Sequence, residues 1–598
     1  MSHRHIFALL VAWWLVSGTT AAQAAEPQWP LDLETRYLTS NFMERRPGRW
    51  HAGLDFKTQT VSGFPVRAVE AGWVSRIRAE AGAYGRAVYI AGDSGKTYVY
   101  AHLQQFSDVI NERVGSDRRQ HGRYRVRLNL DPNDLRVEAG QVLGLSGQSG
   151  TNGPHLHFEV RDAGQHPLNP QDHGFAVADT FAPRITAVTA HCVRPPAELG
   201  AVAREVHHEK GLHGVLAPLV VTGPVAFSAA ISDRSDIRGH ALEPGLIEVR
   251  LDGELVYRCR NESFAFADNS QQRLEWCEFS DQEGERRIRE HWLHRRRGVD
   301  LPGREGGLWY LGAEGEGLAV GDHLLQIMAR DRSGGEAEVR IPLRVDSGGG
   351  GNSRLAGWQD RHLALRPAPG IVLTPFFALH PRDDAAIVEL DPARGDPVLA
   401  RTVLWRRERA GADPLEPSAL WQGLYLTADW PVDGNLPMSL DEPPGEQDAW
   451  IFRHGRKGWR PVGPLHRDGD STWFLMAEPG RHAAFADREP PVIGTSGIEV
   501  ELRLPSVVPG VTNSRWQVFP VMIDEGDRGV GVDPATIEVA LDGAPLVVEP
   551  DLLRDRILVT LPDDTPPGTH VLSLTVSDRV GNRAGASVEV RCNGSRGG

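Results

Sequence analysis

The sequence predicts a mostly β protein, in which a small antiparallel β-sheet domain is followed by tandem β-sandwich modules. Three observations lead to this prediction. Apolar residues alternate in short runs between Gly, Asp, Asn and Pro turns, with hardly any helical periodicity. The chain has 598 residues, whereas a single hydrophobic core stops growing at about 250 to 300 residues. Part of the strand-forming sequence also occurs twice.

The first segment has the order of a secretory signal. Basic residues are followed by the apolar run Ile6 to Val16 and then by Ala-Gln-Ala, which ends at Ala24. An uncleaved membrane anchor is the alternative, but the run is shorter than the roughly 20 residues that cross a bilayer. No later stretch is apolar enough to span a membrane. We therefore expect cleavage after Ala24 and a mature chain, without a transmembrane segment, that is periplasmic or secreted.

Turn-rich segments divide the mature chain. The sequence DTFAP begins at Asp179, SGGGGNS begins at Ser347 and has the composition of a flexible linker, and DREPP begins at Asp487. The predicted divisions are a signal peptide at 1–24, a first domain at 25–178, a β-sandwich at 179–346, a Gly-rich linker at 347–354, a further β-rich domain at 355–486 and a second β-sandwich at 487–594.

The two predicted sandwiches resemble each other in sequence. The matching pairs are ISDRSD (231–236) with IDEGD (523–527), IEVRLDG (247–253) with IEVALDG (537–543), and GDHLLQIMARDRSGGEAEVRI (321–341) with GTHVLSLTVSDRVGNRAGASVEV (568–590). Their order is the same, which indicates a duplicated module with extra sequence between Arg260 and Leu308 in the first copy. The strand and turn pattern loosely resembles bacterial immunoglobulin-like or fibronectin-like modules.

Charge and cysteine content limit the possible partners. The formal net charge of -14 argues against general nucleic-acid binding. Four cysteines fit an oxidising compartment, and Cys259 with Cys277 is the preferred pair because they lie close together in one predicted module. The Cys-x-x-Cys pairs of a cysteine zinc site are absent from the sequence.

Metal-type ligands are concentrated in the first domain. HAGLD begins at His51 and ends at Asp55, and GPHLHFE supplies His155 and His157. A catalytic zinc takes about three protein ligands from His nitrogen and carboxylate oxygen and keeps one position for water; His51, Asp55 and His157 can supply that set. On a strand, His155 and His157 leave the same face, so one imidazole can bind metal while the other faces a substrate. A further histidine, His102, lies between the two motifs in the segment TYVYAHL.

The order H-x-G-x-D, Y-A-H-L and G-x-x-G-x-x-G-P-H-L-H-F-E, over about residues 35–170, resembles the lysostaphin and LytM type of zinc endopeptidase. The resemblance implies one zinc ion held by His51, Asp55 and His157, with His155 and His102 as catalytic partners. It also implies a compact antiparallel sheet and a peptide substrate in bacterial peptidoglycan. No H-E-x-x-H motif supplies a glutamate base, so we assign His155 as the base and His102 as the proton donor, two roles that can be exchanged.

Three functional classes stay open. The first is an active endopeptidase that cuts stem peptides or cross-bridges, with a possible protein partner bound through the β-modules. The second is a non-catalytic wall-binding scaffold or an activator of another cell-wall hydrolase. Degenerate proteins of that kind usually lack a ligand position, whereas all five positions are filled here, which favours the enzyme. The third is an adhesin dominated by the tandem modules.

Two further features of the first domain are open at this stage. Glu159 shares the strand face of His155 and His157, so it can orient a ligand, although a surface or second-layer carboxylate is the simpler interpretation. The charged stretch from Ser107 to Arg136 is either a rim of the cleft that restricts the substrate or a solvated surface insertion.

Overall fold

The computed structural model describes residues 28–593 with interruptions, of which the longest are 193–210, 307–318, 347–377, 390–401, 408–420, 429–435 and 440–448. The expected signal peptide and the Gly-rich linker at 347–354 lie outside the described residues. The described part is mostly β, with many antiparallel sheets and a single α-helix. The predicted fold class is therefore confirmed.

The first domain contains fourteen strands and the α-helix. They are β1 (Leu38–Ser40), β2 (Arg45–Arg46), β3 (Arg49–Trp50), β4 (Leu54–Lys57), β5 (Pro65–Arg67), β6 (Gly72–Ala79), β7 (Arg86–Gly92), β8 (Thr97–Ala101), β9 (Gln105–Phe106), α1 (Asp108–His121), β10 (Val126–Asn129), β11 (Arg136–Val137), β12 (Val142–Leu145), β13 (His155–Arg161) and β14 (Pro167–Leu168).

A nine-stranded antiparallel sheet forms the centre of this domain. Its order is β1-β4-β13-β8-β7-β6-β10, with β11 paired to β6 and β14 paired to β13; β5-β12-β9 form a second, smaller sheet. Strand β13 is buried along most of its length and lies between β4 and β8. In this register His157 faces Asp55 on one neighbour and Ala101 on the other. The two distant sequence motifs are therefore adjacent across the sheet.

The stretch from Ser107 to Arg136 contains the helix and an edge strand. Helix α1 begins after Ser107 and ends at Gly122, which adopts the left-handed conformation with φ 61°. Its buried residues Ile110 and Val114 belong to the core of the domain, and β10 then pairs with β6. This insertion is therefore anchored in the fold, and its helix was not predicted from the sequence.

The segment that follows the first domain consists of two sheets around one core. Its strands are β15 (Arg184–Cys192), β16 (Gly214–Val215), β17 (Leu219–Thr222), β18 (Val225–Arg234), β19 (Ala241–Leu242), β20 (Leu246–Leu251), β21 (Glu254–Arg260), β22 (Trp276–Ser280), β23 (Arg287–Trp292), β24 (Arg304–Gly306), β25 (Gly321–Arg330) and β26 (Glu336–Asp346). One sheet contains β15-β18-β23-β22 and the other β16-β26-β25-β20-β21-β24. Their facing apolar residues form one cluster, as in a sandwich.

The next strands form a seven-stranded and a three-stranded sheet. They are β27 (Ala378–Pro381), β28 (Ala386–Glu389), β29 (Thr402–Arg407), β30 (Trp421–Ala428), β31 (Leu436–Ser439), β32 (Ala449–Gly455), β33 (Gly458–Pro464), β34 (His466–Asp468), β35 (Ser471–Met476) and β36 (Arg481–Ala486).

The C-terminal module again has two sheets around one core. Its strands are β37 (Val492–Ile493), β38 (Ile498–Glu501), β39 (Phe519–Asp524), β40 (Glu538–Leu541), β41 (Ala544–Pro545), β42 (Glu549–Asp551), β43 (Arg556–Val559), β44 (Gly568–Ser577) and β45 (Arg583–Asn593). The sheets β37-β39-β43-β42 and β38-β45-β44-β40-β41 share one apolar cluster. In both modules the last two strands form a long hairpin, β25–β26 and β44–β45.

The C-terminal module contacts the first domain. Glu549 forms an ion pair with Arg86, and the Arg554 guanidinium donates to Gln148 Oε1 at 2.8 Å and to the Thr151 carbonyl at 2.9 Å. These contacts join residues that are about four hundred positions apart in sequence. The loop that precedes β13 is therefore held from the outside by the last module.

The cysteine prediction was wrong for Cys259, which is a free thiol. Burial raises the pKa of this thiol to about 11. Cys259 lies on β21 and the Cys277 backbone on β22, which belong to different sheets, while the side chain of Cys277 lies outside the described residues. Proximity in sequence did not bring the two residues into one sheet. Among the described residues, no helix has the length and apolar character needed to cross a bilayer.

Candidate metal centre

Three side chains from different parts of the first domain meet in its interior. His51 follows β3, Asp55 lies on β4 and His157 lies on β13. Asp55 Oδ1 is 3.0 Å from His51 Nε2 and 2.9 Å from His157 Nδ1, and the two nitrogens are 2.9 Å apart. All three side chains are buried. The structure thus brings together the ligand set derived from the sequence.

Hydrogen bonds on the far side of His51 and Asp55 select the atoms that face the centre. The Nδ1 atom of His51 lies 2.7 Å from the Asn41 carbonyl, which can only accept, so the proton is on Nδ1 and Nε2 carries the free lone pair. Asp55 Oδ2 accepts from Arg46 at 2.7 Å, which leaves Oδ1 for the centre. Both ligand atoms are therefore prepared for a cation by groups behind them.

His157 is oriented in the same way by a buried carboxylate. Its Nε2 donates to Glu159 Oε1 at 2.8 Å, so Nδ1 is the free atom. Tyr84 donates to the same oxygen at 2.5 Å, and Arg161 donates to Glu159 Oε2 at 2.6 Å. Glu159 is fully buried. Glu159 is therefore not a surface carboxylate: it lies behind His157 as a second-layer carboxylate and orients that imidazole.

The electrostatics of the centre favour ionised carboxylates. Burial alone would raise the pKa of Glu159, but Arg161 and the hydrogen bond from His157 hold it at about 2. Burial would likewise raise the pKa of Asp55, but the neighbouring histidines keep it well below its ordinary value. Burial lowers the pKa of His51 to about 4. Asp55 and His51 thus have the protonation state that metal binding requires. Burial would lower the pKa of His157, but hydrogen bonds to Asp55 and Glu159 raise it, so this imidazole has to give up its Nδ1 proton when a metal binds.

The donor set and its spacing fit a zinc ion. Zinc bonds to nitrogen and oxygen of about 2.0–2.2 Å in tetrahedral geometry place neighbouring ligand atoms about 3.3–3.5 Å apart. The three ligand atoms are 2.9–3.0 Å from one another, so a movement of a few tenths of an ångström would suffice. With three protein ligands, a tetrahedral ion keeps one open position, as catalytic zinc sites do.

Two further imidazoles lie beside the cluster, and both carry their proton on Nδ1. His155 Nδ1 faces the Gly153 carbonyl at 2.9 Å. Its buried Nε2 has no hydrogen-bond partner among the residues that the structure describes, and it is 3.6 Å from Asp55 Oδ1. His102 Nδ1 faces the Ser149 carbonyl at 2.9 Å, and its ring centroid is 4.8 Å from that of His155. His102 has a positive φ of 61°, a strained conformation in which its backbone amide donates to the Tyr84 carbonyl at 3.0 Å.

Gly53 explains the middle of the H-x-G-x-D motif. A Cβ atom at this position would lie 2.2 Å from the carbonyl oxygen of Phe158 on β13. Only glycine therefore lets the segment between His51 and Asp55 approach β13 closely enough for His157 to meet them.

Sequence reasoning missed the residues that support the ligands. Asn41 and Arg46 precede the first motif, and Tyr84 lies before β7. Asn41 acts through its backbone carbonyl, which carries no sequence signal. Arg46 and Tyr84 are ordinary residues in sequence, and their roles come from the sheet register. Only Glu159, two residues after His157, had a detectable signal in the strand alternation.

A two-histidine, one-carboxylate cluster on an antiparallel sheet, with two further imidazoles beside it, is the arrangement implied by the resemblance to lysostaphin and LytM-type zinc peptidases. Comparison with known proteins supports this resemblance for the first domain. The chain is 33% identical over 123 residues to the DD-carboxypeptidase/endopeptidase Mpg of Neisseria meningitidis serogroup B, and equally to that of Neisseria gonorrhoeae. The match covers 20% of this chain and 22% of the relative, so the chain spans about a fifth of the length of the curated relatives that it matches.

Two solved structures are also similar to part of this chain. The catalytic domain of the prophage-encoded M23 protein EnpA from Enterococcus faecalis is 23% identical, with coverage of 25% of this chain and 98% of that domain and a TM-score of 0.18. A zinc-containing peptidase from Vibrio cholerae is 27% identical, with coverage of 24% of this chain and 38% of that protein and a TM-score of 0.18. No family model matches the chain.

Proposed function

We propose that this protein is an exported, zinc-dependent endopeptidase that hydrolyses peptide bonds in bacterial peptidoglycan, in stem peptides or cross-bridges. One observation carries the proposal. Each of His51, Asp55 and His157 has its other polar atom engaged by a group behind it, so that three ligand atoms converge on one point. The name of the matched Neisseria relatives, DD-carboxypeptidase/endopeptidase, supports a peptidase of this kind.

The centre would hold one zinc ion through His51 Nε2, Asp55 Oδ1 and His157 Nδ1. When bound, zinc supplies a water of lowered pKa and polarises the scissile carbonyl. Glu159 keeps His157 in the required tautomer, and Arg46 keeps Asp55 turned toward the centre.

His155 is the proposed general base. Its Nε2 is unprotonated, has no partner among the described residues and lies 3.6 Å from the ligand atom of Asp55. Burial lowers the pKa of His155, so the imidazole is neutral at neutral pH and can take a proton from the attacking water. His155 then returns that proton to the leaving amine.

His102 is the proposed second catalytic histidine. Burial and the nearby charges of His155 and His157 hold its pKa well below the ordinary value, so its Nε2 is also unprotonated. His102 can therefore act as a donor only if it, instead of His155, takes the proton of the attacking water and passes it to the leaving amine. Because the two imidazoles have equivalent hydrogen bonding, the base and donor roles can be exchanged between them.

The test is a digest of defined muropeptides by the mature, zinc-loaded chain, followed by mass spectrometry. The His157→Ala variant is the negative form, and His166→Ala, an exposed histidine in the same domain, is the matched control. We expect cleavage by the native and control forms alone, and the products will identify the bond. Cleavage by His157→Ala would refute the zinc mechanism. Zinc binding without any cleavage would leave a wall-binding scaffold or an activator of another hydrolase.

A further inference from the structure

A cluster of three carboxyl groups lies in the first two-sheet module, far in sequence from the zinc ligands. One oxygen from each of Asp179, Asp233 and Asp331 lies within 4.8 Å of the others. Asp233 and Asp331 are 5% and 7% exposed. Asp331 Oδ1 accepts the amides of Ser333 and Gly335 at 2.7 and 2.8 Å, while Oδ2 is buried and has no donor in the described part of the chain. A buried carboxylate oxygen without a partner is costly unless a cation or a donor reaches it.

The same arrangement occurs in the C-terminal module. One oxygen from each of Asp487, Glu525 and Asp578 lies within 4.8 Å of the others. Both carboxylate oxygens of Glu525 are buried and form no hydrogen bond of ordinary geometry with the described residues, although the Gly531 amide and the Arg579 charge are near enough to lower its pKa. Asp578 is 2% exposed. The second cluster therefore also contains carboxylate oxygens that the described residues do not fully satisfy.

The first two members of each cluster occupy equivalent places. Asp179 and Asp487 lie in the turn-rich segments DTFAP and DREPP, and each accepts the backbone amide of the residue two positions later at 3.2 Å. Asp233 and Glu525 follow the same Ile-x dipeptide in the matching sequences ISDR and IDEG. Asp233 lies near the end of β18, and Glu525 comes immediately after β39.

The third member lies in the turn of the long hairpin in both modules. Asp331 follows β25 and its backbone amide donates to the Gly335 carbonyl at 3.1 Å; Asp578 follows β44 and donates to the Asn582 carbonyl at 3.1 Å. In each case Oδ1 accepts several amides of the same turn. The three carboxylates thus come from corresponding positions of a duplicated module, so their convergence is a property of the module and not an accident of one loop.

The nearby Arg234 and Arg579 offset the negative charge of the two clusters only in part. Burial, together with the charges of Asp179 and Asp331, raises the pKa of Asp233 to about 7. Burial and the neighbouring Asp578 and Asp487 raise the pKa of Glu525 to about 7. Groups in this state repel each other when ionised, and a bound cation would remove that repulsion.

We propose that each carboxylate triad binds one calcium ion, so that the protein contains a pair of structural calcium sites in addition to its zinc centre. The ligands are hard oxygens, with no histidine or cysteine in either cluster, which suits calcium and not zinc. Backbone carbonyls and water complete the six to eight oxygens that calcium takes. Asp179 and Asp487 belong to the segments that enter their modules, so each ion would fix an entering segment to the module that follows.

The test uses the full mature chain, zinc-loaded and dialysed into calcium-free buffer. Calcium binding is measured by equilibrium dialysis with radioactive calcium chloride in the presence of magnesium, and the zinc content of the same samples is recorded. We expect one ion per triad. Asp233→Asn removes the first site, Glu525→Gln removes the second, and the double variant binds none. Asp322→Asn and Glu538→Gln, both exposed on the same modules, keep both sites.

Thermal unfolding separates a cation site from a purely structural role. Without calcium, Asp233→Asn should melt at or above the native temperature, because it removes one charge from a repelling cluster. With calcium, the native chain should gain the most stability, each single variant should gain less, and the double variant should gain none. Asp179→Asn, in the entering segment and outside the strands, repeats the test if Asp233→Asn does not fold. Native protein that binds no calcium, or binding that is unchanged in these variants, would overturn the proposal, while the zinc content reports the first centre independently.

Discussion

Replacement of Glu159 by glutamine tests how the buried carboxylate prepares the metal centre. Glu159 accepts from His157 and Tyr84 on Oε1 and from Arg161 on Oε2, and it is fully buried. Glutamine has nearly the same volume but offers only one acceptor oxygen, and its amide nitrogen is a donor. In the variant, an amide nitrogen therefore replaces one of the two acceptor oxygens, and this nitrogen faces another hydrogen-bond donor.

Either orientation of the amide is unfavourable. If the amide nitrogen faces His157, the imidazole must place its proton on Nδ1, and the ligand atom is lost. If it faces Arg161, a guanidinium that is 7% exposed loses its acceptor. The first outcome weakens zinc binding about 10- to 100-fold, the usual effect of losing a group that orients a ligand. This corresponds to about 1.4–2.7 kcal/mol. The second destabilises the fold by about 3–5 kcal/mol, the usual cost of breaking a buried ion pair.

The assay is a competition titration of zinc against a chelating dye, with a thermal melt of the same sample. Glu138→Gln, the same substitution at an exposed position of the domain, should leave both unchanged. A Glu159→Gln variant that melts like the native protein and binds zinc within about twofold of it would refute the role of this carboxylate.

Three other predictions follow from the site and its surroundings. The Cβ atom of Gly53→Ala would meet the Phe158 carbonyl. This variant should lower the free energy of unfolding by about 1–3 kcal/mol, as overpacking does, and weaken zinc binding. Gly82→Ala, where a Cβ has open space, should change neither quantity in a denaturant titration and a zinc-binding assay. Arg554→Ala removes the C-terminal contacts to the loop before β13, so we expect faster amide exchange in that loop. Muropeptide cleavage should also be faster, because the substrate-facing imidazoles of His102 and His155 are little exposed in the intact chain. Arg583→Ala, exposed on the same module, should match the native rates, and unchanged exchange in Arg554→Ala would contradict the contact. Removal of zinc by a chelator should abolish cleavage, and added zinc should restore it; activity that survives verified zinc loss would contradict the mechanism.

Much of the first domain was predictable because its chemistry lies in short sequence motifs. The alternation of His155 and His157 on a strand, and the glycine between His51 and Asp55, both follow from local geometry. Their convergence was suggested by the combination of motifs and required the pairing of β13 with β4, which only the fold supplies.

The parts that could not be predicted depend on tertiary contacts. Helix α1 has only a weak apolar stripe, with Ile110 and Val114 buried, so its periodicity gave no clear signal. The preference for a bond between Cys259 and Cys277 rested on sequence proximity, which does not determine sheet placement. The carboxylate triads were hidden because their members are separated by strands and turns, although the duplicated sequences around them were visible.

Anomalous diffraction at the zinc edge, from crystals of the zinc-loaded protein, tests the central claim most directly. We predict one strong peak in the first domain, bonded to His51 Nε2, Asp55 Oδ1 and His157 Nδ1 at about 2.0–2.2 Å. A peak bound by other residues, or no peak at this cluster in a zinc-loaded crystal, would contradict the account.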